Sequence, residues 1–387
     1  MKKQVIYVIP QLYCFGEPIC QMFYLKNIFC NDDKFNITVI TYPLQKLRVN
    51  KHVFNVIMRG VNVIHTTDNQ LIWFSTDAEK SSSFIEDDNN IYVIAERLEL
   101  EKEFCIKYEG KERVSKYFSL SEIDILEGYR LRKELGIPRN APIVTLLVRT
   151  RGWSKQPYEQ VDYRNADIEN YMPAINYLIQ NGFYVVRIGD KTMKPVSNPP
   201  AKFIELPFHN SYTQFAEAYF IASSTFYMGT PSGPYSLAEG FNIPFLSTDS
   251  FIYPHVRVWK NDIHMFKRFY SHAYKRLLTY EEVLKSAIIN FSKDSDFIKA
   301  GIDVISNSPE EILSAVKEML QRLNGTYTSN HEMSKISEQL QKIQTKALNF
   351  QKRRYPDFPY MGIYHIAHSD FVPVSIEWLK TNPDLLY

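Results

Sequence analysis

Cationic side chains gather at the ends of two buried strands predicted in the middle of the chain. Arg149 and Arg151 follow the apolar run IVTLLV, and Arg187, Gly189 and Asp190 end the run YVVRIGD. Ligands of open parallel sheets bind beyond the carboxyl ends of the strands. Because a guanidinium matches the geometry of phosphate and carboxylate oxygens, this spacing predicts a site for an anion, with phosphate as the first candidate.

A second polar group follows another apolar run, STFYMG. Thr230, Ser232 and Gly233 lie in the connection TPSGP, just before a predicted short helix. Backbone N–H groups at such a helix start bind anions, and we predict that these residues complete the site. A tight turn alone would use the same residues, so both interpretations stay open.

Three residues between the two arginine-bearing strands also have two interpretations. Arg164, Asn165 and Asp167 precede the predicted helix ENYMPAINYLIQ and either contact the ligand or cap the start of that helix. We expect Asn165 and Asp167 to act as caps and Arg164 to face the ligand. Lys194, shortly after the second strand, adds a further cation.

The surrounding sequence predicts an α/β protein with two domains. Short β-branched runs alternate with helices and polar connections in the first half, and this order returns in the second half. The first-half runs are residues 5–10, 37–41, 61–65 and 91–96. The break GIPRNAP separates a Rossmann-like domain of residues 1–138 from a second one of residues 139–345, and a helix and tail of residues 346–387 would pack back on the body.

Composition restricts the partners of the chain. A formal net charge of +2 over 387 residues excludes nucleic acid as the main partner, because binding its backbone needs a basic surface. The apolar run after Lys3 breaks at Pro10, which favours a first strand over a signal peptide. No segment has the length of a membrane span. We expect a cytoplasmic protein, with peripheral membrane association left open.

Neither a metal nor a cofactor is predicted. The four cysteines show no CxxC pair and no zinc-like spacing, so reduced thiols are expected. The letters DSD at residues 294–296 match a metal-binding carboxylate pair, but they lie in a predicted helical connection.

The quoted segments resemble a family of bacterial glycosyltransferases of surface-polysaccharide loci. The resemblance rests on DYRNADIENYMPAINYLIQNGFYVVRIGD with the following Lys194-Pro195, on YMGTPSGP and on AEGFNIPFLSTD, within residues 143–250. It implies a GT-B fold, in which two Rossmann-like domains face each other across a cleft; the first binds the acceptor and the second the nucleotide-sugar donor. In fucosyltransferase-like members of this fold an arginine after the first strand of the second domain contacts the donor diphosphate, and Arg149 and Arg151 hold that place. The first loop, QLYCFGEP, departs from the Gly-His pair that the family has there.

The resemblance implies that a sugar moves from a nucleotide-sugar, which is a substrate and not a cofactor, to a glycan or lipid-linked acceptor. The departing diphosphate gains negative charge, which arginine and lysine stabilise in metal-independent enzymes of this shape. Glu239 would bind the ribose, or it would be an exposed helical glutamate. The predicted donor-binding residues are Arg149, Arg151, Arg164, Asn165, Asp167, Arg187, Gly189, Asp190, Lys194, Thr230, Ser232, Gly233 and Glu239.

An inverting transfer, which we expect here, also needs a base near the acceptor hydroxyl. Glu17 is the first candidate, because its loop follows the first strand; His65 and Glu96 compete with it. Together with Glu17, we count Arg149 and Arg187 as catalytic. Two other functions stay open: a nucleotide-sugar epimerase, which would keep the nucleotide attached, and a non-catalytic protein that binds a nucleotide or glycan.

Overall fold

The computed structural model describes residues 2–9, 16–46, 50–71, 83–95, 97–108, 117–150, 162–251, 262–354 and 373–387. The strands are β1 Lys3–Val8, β2 Phe35–Thr41, β3 Asn62–His65, β4 Ser83–Glu86, β5 Asn90–Ile94, β6 Ile143–Leu147, β7 Tyr184–Arg187, β8 Phe203–Glu205, β9 Phe226–Gly229, β10 Phe245–Ser250, β11 Ile263–Phe266, β12 Arg268–Ser271, β13 Arg276–Leu277 and β14 Ile302–Ile305. The α-helices are α1 Gly16–Ile28, α2 Lys51–Ile57, α3 Arg97–Tyr108, α4 Glu122–Glu134, α5 Met172–Gln180, α6 Gln214–Ala222, α7 Tyr235–Gly240, α8 Tyr280–Lys285, α9 Asp294–Ala300, α10 Pro309–Leu323, α11 His331–Arg354 and α12 Ile376–Thr381.

The chain divides into two compact units. The first unit comprises residues 1–128, 213–222 and 232–243, and the second comprises residues 129–212, 223–231 and 244–387. The division falls within α4, and it places α6 and α7 in the first unit although both follow strands of the second. The limits predicted from the sequence assign these two helices to the second domain.

The first unit is built on a five-stranded sheet in the order β3-β2-β1-β5-β4. The neighbours from β3 to β5 run parallel, and β4 joins β5 as an antiparallel edge strand. The chain order reverses between β1 and β5. The four strands predicted for this half are confirmed, whereas the short edge strand β4 was not predicted.

Helices of the first unit pack through aromatic rings and small residues. The Phe104 ring of α3 lies 5.8 Å from Phe23 and 5.1 Å from Tyr24, both on α1. At the start of α1, a Cβ added to Gly16 would lie 3.1 Å from the Cα of Gly233, just before α7. Cys20 also donates through its thiol to the Ser236 hydroxyl of α7, at 3.3 Å. These contacts explain why α7 belongs to the first unit.

Helix α6 joins the first unit by a similar set of contacts with α2. Asn50 caps α2 by accepting from the N–H of Val53 at 3.0 Å, and its amide donates to the Gln214 carbonyl of α6 at 2.8 Å. The His52 and Phe215 rings meet edge to face at 4.8 Å. One asparagine therefore both starts α2 and holds α6 against it.

The second unit is built on a six-stranded parallel sheet in the order β11-β10-β9-β6-β7-β8. From β6 the chain adds β7 and β8 on one side, and then β9, β10 and β11 on the other side. Every residue of β6 and β9 is buried, as expected of parallel strands covered on both faces. The α/β class with two Rossmann-like units is confirmed.

The end of the chain adds a smaller layer to the second unit. β12 pairs antiparallel with β13 and β14, which the sequence did not predict. Glu318 of α10, fully buried, accepts from the Ser375 hydroxyl at 2.6 Å and from the Glu377 N–H at 3.2 Å. The carboxylate thus holds the start of α12 against α10.

Candidate functional site

The reversal of chain order between β6 and β9 places two loops side by side at the carboxyl edge of the large sheet. Arg149 follows β6, and Thr230 follows β9. The Thr230 hydroxyl accepts from the Arg149 N–H at 2.9 Å, and the Thr230 N–H donates to the Leu147 carbonyl at 3.0 Å. In open α/β sheets this reversal is the place where ligands bind. The structure therefore brings these two predicted residues together at that place.

A glycine makes this close approach of β6 and β9 possible. Gly229, the last residue of β9, has φ +135°, and an added Cβ would lie 2.8 Å from the Leu147 carbonyl carbon and nearer still to its oxygen. A side chain here would therefore collide with the main chain of β6. Gly229 was not among the predicted site residues, although it ends the run STFYMG, directly before Thr230.

Arg149 and Arg164 form the cationic part of the site. Both side chains are partly buried. Burial and the neighbouring Arg164 guanidinium lower the pKa of Arg149 to about 10; nearby Tyr163, Asp162 and Asp294 oppose this shift. A cation whose charge is disfavoured by burial and by a neighbouring cation is stabilised when an anion binds beside it.

The turn that carries Arg164 is fixed by main-chain hydrogen bonds. The Asp294 carboxylate accepts from the N–H groups of Asp162 and Tyr163 at 2.9 and 2.8 Å. The Arg149 carbonyl accepts from the Ala166 N–H at 3.1 Å. Asp294, the first letter of DSD, thus holds the arginine-bearing turn.

Asn165 and Asp167 differ in their roles. Asp167 caps the following 3-10 turn by accepting from the Glu169 N–H at 3.1 Å, as predicted. Asn165 is not the cap of that turn: its amide donates to the Asp162 carboxylate at 2.8 Å, and its oxygen accepts from Arg149 at 3.4 Å. Whether either residue contacts a ligand stays a prediction.

A buried lysine that the sequence analysis missed supports the same turn. Lys267 follows β11, and its ammonium donates to the Asn165 carbonyl at 2.7 Å and to the Ser306 hydroxyl at 2.9 Å. Asp249, at the end of β10, lies 3.8 Å from this ammonium. Nothing in the sequence around Lys267 marks it, because its partners Asn165, Asp249 and Ser306 lie in three separate segments of the chain.

Arg187 has surroundings that favour a structural role. Its side chain is 0% exposed and forms an ion pair with Glu205 on the neighbouring strand β8. It also donates to the Lys194 carbonyl at 2.9 Å. Burial lowers the pKa of Arg187, and the hydrogen bond with Glu205 opposes that shift. A ligand could reach this guanidinium only if the surrounding chain opened.

The other predicted residues after β7 lie nearer the surface. Asp190 accepts from the Thr192 N–H at 2.7 Å and so shapes the turn after the strand. Gly189, with φ +133°, packs against Met193. The Lys194 side chain is 72% exposed, and its ammonium lies 3.9 Å from the Glu169 carboxylate. Arg151 lies outside the described residues.

The remaining predicted residues belong to the first unit. Glu17 lies in the first turn of α1 and is partly buried. Ser232 and Gly233 precede α7, where their carbonyls accept from Tyr235 and Ser236. The Glu239 side chain is 8% exposed, so its interpretation as an exposed helical glutamate is wrong.

The two residues that competed with Glu17 for the role of base have different outcomes. His65 is exposed at the end of β3, where its Nδ1 lies 3.0 Å from the Tyr42 carbonyl oxygen. Glu96 lies outside the described residues. The choice of base stays a prediction.

No cluster of three or more His, Cys, Asp or Glu side chains arranged for a metal ion occurs in the described part of the chain. In the DSD segment, Asp296 accepts from the N–H groups of Ser292 and Lys293 at 3.0 and 3.1 Å. Among the described helices, none combines the length and the apolar character needed to cross a membrane.

Comparisons with known proteins show similarity only to solved structures. No family model and no curated protein matches the chain. A glycosyl transferase of family 9 from Veillonella parvula is 11% identical, covering 83% of this chain and 97% of its own, with a TM-score of 0.45. ADP-heptose LPS heptosyltransferase II of E. coli is 12% identical over 66% of this chain and 86% of its own, with a TM-score of 0.38. E. coli heptosyltransferase WaaC with ADP is 10% identical over 67% of this chain and 89% of its own, with a TM-score of 0.30. Likeness at this level assigns no substrate and no residue role to this chain.

Proposed function

We propose that this protein is a glycosyltransferase that binds the diphosphate of a nucleotide-sugar at Arg149 and Arg164. The observation that carries the proposal is this pair of guanidiniums beside the reversal of chain order between β6 and β9. A diphosphate placed there would restore the favourable energy of a charged Arg149. The resemblance of residues 143–250 to polysaccharide glycosyltransferases supports a sugar as the group that the diphosphate carries.

In the proposed reaction the bond between the anomeric carbon and the diphosphate breaks, and an acceptor hydroxyl oxygen forms the new bond. The two arginines stabilise the negative charge that develops on the leaving diphosphate. Glu17 would take the proton of the acceptor, a glycan or lipid-linked sugar. Lys194, close to Glu169 at the surface, would add a further cation on the donor side.

Binding of nucleotides tests the donor site directly. Calorimetric titration with UDP, GDP, ADP and CMP, and with their sugar conjugates, should show binding of one nucleotide series. The panel includes ADP-heptose because two of the solved structures above are E. coli heptosyltransferases. In Arg149→Ala the affinity should fall about 10- to 100-fold, since a hydrogen bond to a charged group is worth about 1.5–3 kcal/mol.

Arg276→Ala is the matched control, because Arg276 is an exposed arginine of the same unit, paired with Glu282. This variant should bind nucleotide as the wild type does. Equal binding by wild type and Arg149→Ala would refute the assignment of the diphosphate to Arg149.

Product analysis then separates the possible reactions. A transferase releases free nucleotide, by transfer to an acceptor or by slow hydrolysis of the donor, whereas an epimerase returns a nucleotide-sugar of altered stereochemistry. Release of nucleotide in step with loss of donor is the expected outcome. If the product is a new sugar isomer that is still attached to the nucleotide, the protein is an epimerase and the proposed transferase activity is wrong.

A further inference from the structure

We propose that Lys267 is a positioning residue that holds Arg149 in its diphosphate-binding place through Asn165. The inference rests on the proposed function, because it concerns the same cationic site. It assigns a role in ligand binding to a side chain that the ligand itself does not touch.

The Lys267 ammonium is buried and held by protein groups. An ammonium group has three N–H donors, and three acceptors surround this one: the Asn165 carbonyl, the Ser306 hydroxyl and the Asp249 carboxylate. The side chain is 3% exposed. A buried cation held by two hydrogen bonds and an ion pair to protein groups acts on those partners.

Those partners connect Lys267 to Arg149 in two hydrogen bonds. Lys267 fixes the Asn165 carbonyl at 2.7 Å, and the Asn165 side-chain oxygen accepts from Arg149 at 3.4 Å. The next residue, Ala166, donates its N–H to the Arg149 carbonyl at 3.1 Å. A shift of the main chain at residue 165 would therefore change both the side-chain and the main-chain contacts of Arg149.

Asp249, the ion-pair partner of Lys267, is itself held in place by hydrogen bonds. Asp249 lies where the register of β10 and β11 shifts and has φ +50°, an uncommon value for a residue other than glycine. Its N–H donates to the Asn307 side chain at 2.6 Å, and the Asn307 N–H donates back to the Asp249 carboxylate at 2.8 Å. The Tyr171 hydroxyl donates to the same carboxylate at 3.2 Å. This arrangement fixes the carboxylate, and through it the ammonium group.

The test is a double-mutant cycle on the binding of inorganic pyrophosphate by the full-length chain. Lys267→Met removes the charge and the donors, and it should weaken binding about tenfold. In an Arg149→Ala background the same change should alter the affinity less than twofold, because the side chain through which Lys267 acts on the ligand is absent. Lys267→Arg should restore most of the wild-type affinity, and Lys299→Met, the same substitution at an exposed position, should leave affinity unchanged.

An equal tenfold loss in both backgrounds would refute the inference, and so would wild-type affinity in a folded Lys267→Met. If Lys267→Met does not fold, Ser306→Ala, which removes one acceptor, should weaken binding two- to threefold only when Arg149 is present; an effect independent of Arg149 would overturn the inference. Failure of the wild type to bind pyrophosphate or any nucleotide marks failure of the proposed function itself.

Discussion

The contact between Gly229 and the end of β6 predicts a large cost for a single methyl group. In Gly229→Ala the new Cβ would overlap the carbonyl group of Leu147, two residues before Arg149. Gly182 is the matched control: it also has a positive φ, +89°, but an added Cβ there would meet nothing within 4 Å. Both substitutions place an alanine at a positive φ, but only the one at Gly229 brings the new Cβ into overlap with other atoms.

The expected magnitudes follow from that comparison. A positive φ costs an alanine about 1–3 kcal/mol at each position, and the φ of +135° at Gly229 lies farther from the left-handed helical region than the φ of +89° at Gly182. The reduced freedom of the unfolded chain is the same for both variants. Overlap with the main chain of β6 adds about 3 kcal/mol, the upper end for overpacking, because a strand bonded on both sides cannot move away freely. Gly229→Ala should therefore melt roughly 4–6 °C below Gly182→Ala, because the entropy of unfolding grows with chain length.

Thermal unfolding by circular dichroism measures this difference, and nucleotide titration of the two variants adds a second readout. Gly229→Ala should also lose affinity for nucleotide, because relief of the overlap moves the strand end that carries Arg149. Equal melting temperatures for the two variants would refute the steric argument.

Two further predictions concern ion pairs of the second unit. Glu205→Leu leaves the buried Arg187 guanidinium without its carboxylate, so chemical unfolding should show a loss of about 3–5 kcal/mol, and the double variant with Arg187→Met should regain most of it; a double variant no more stable than Glu205→Leu would contradict this. The hydrogen bond with Arg276 lowers the pKa of Glu282 from 4.5 to about 2, against the opposing effect of burial. A depressed pKa stabilises the folded state above pH 4.5, and this contribution is lost as the pH falls toward 2. The stability difference between wild type and Glu282→Gln, measured by unfolding across this range, should therefore shrink with falling pH; a constant difference would count against the pairing.

The sequence predicted most strands of the two large sheets, because buried parallel strands consist of continuous β-branched runs; β4 and β11 were not predicted. β6 and β9 are of this kind, and the residues after them therefore fall at one edge of the sheet. That rule placed Arg149 and Thr230 side by side. It could not distinguish the surroundings of Arg149 from those of Arg187, because the carboxylate that pairs with Arg187 is Glu205, on a different strand.

Sequence patterns could not predict the residues that hold the site in place. Asp294 and Lys267 hold the turn that carries Arg164, yet each is more than a hundred residues from the residues of that turn. A lysine after one apolar strand looks the same whether it is solvated or buried against a carboxylate. Only the fold, which brings the ends of β10, β11 and β14 together, distinguishes the two cases.

The division of the chain between the units has a consequence for synthesis on the ribosome. Helices α6 and α7 belong to the first unit, so that unit lacks part of its packing until residue 243 has been made. At roughly 5–20 residues per second, the wait after residue 128 is on the order of 6–20 s. During that wait the surfaces of α1 and α2 that receive Ser236 and Gln214 have no partner in the emerging chain. Protease protection of the first unit in nascent chains should therefore appear only after α7 has emerged.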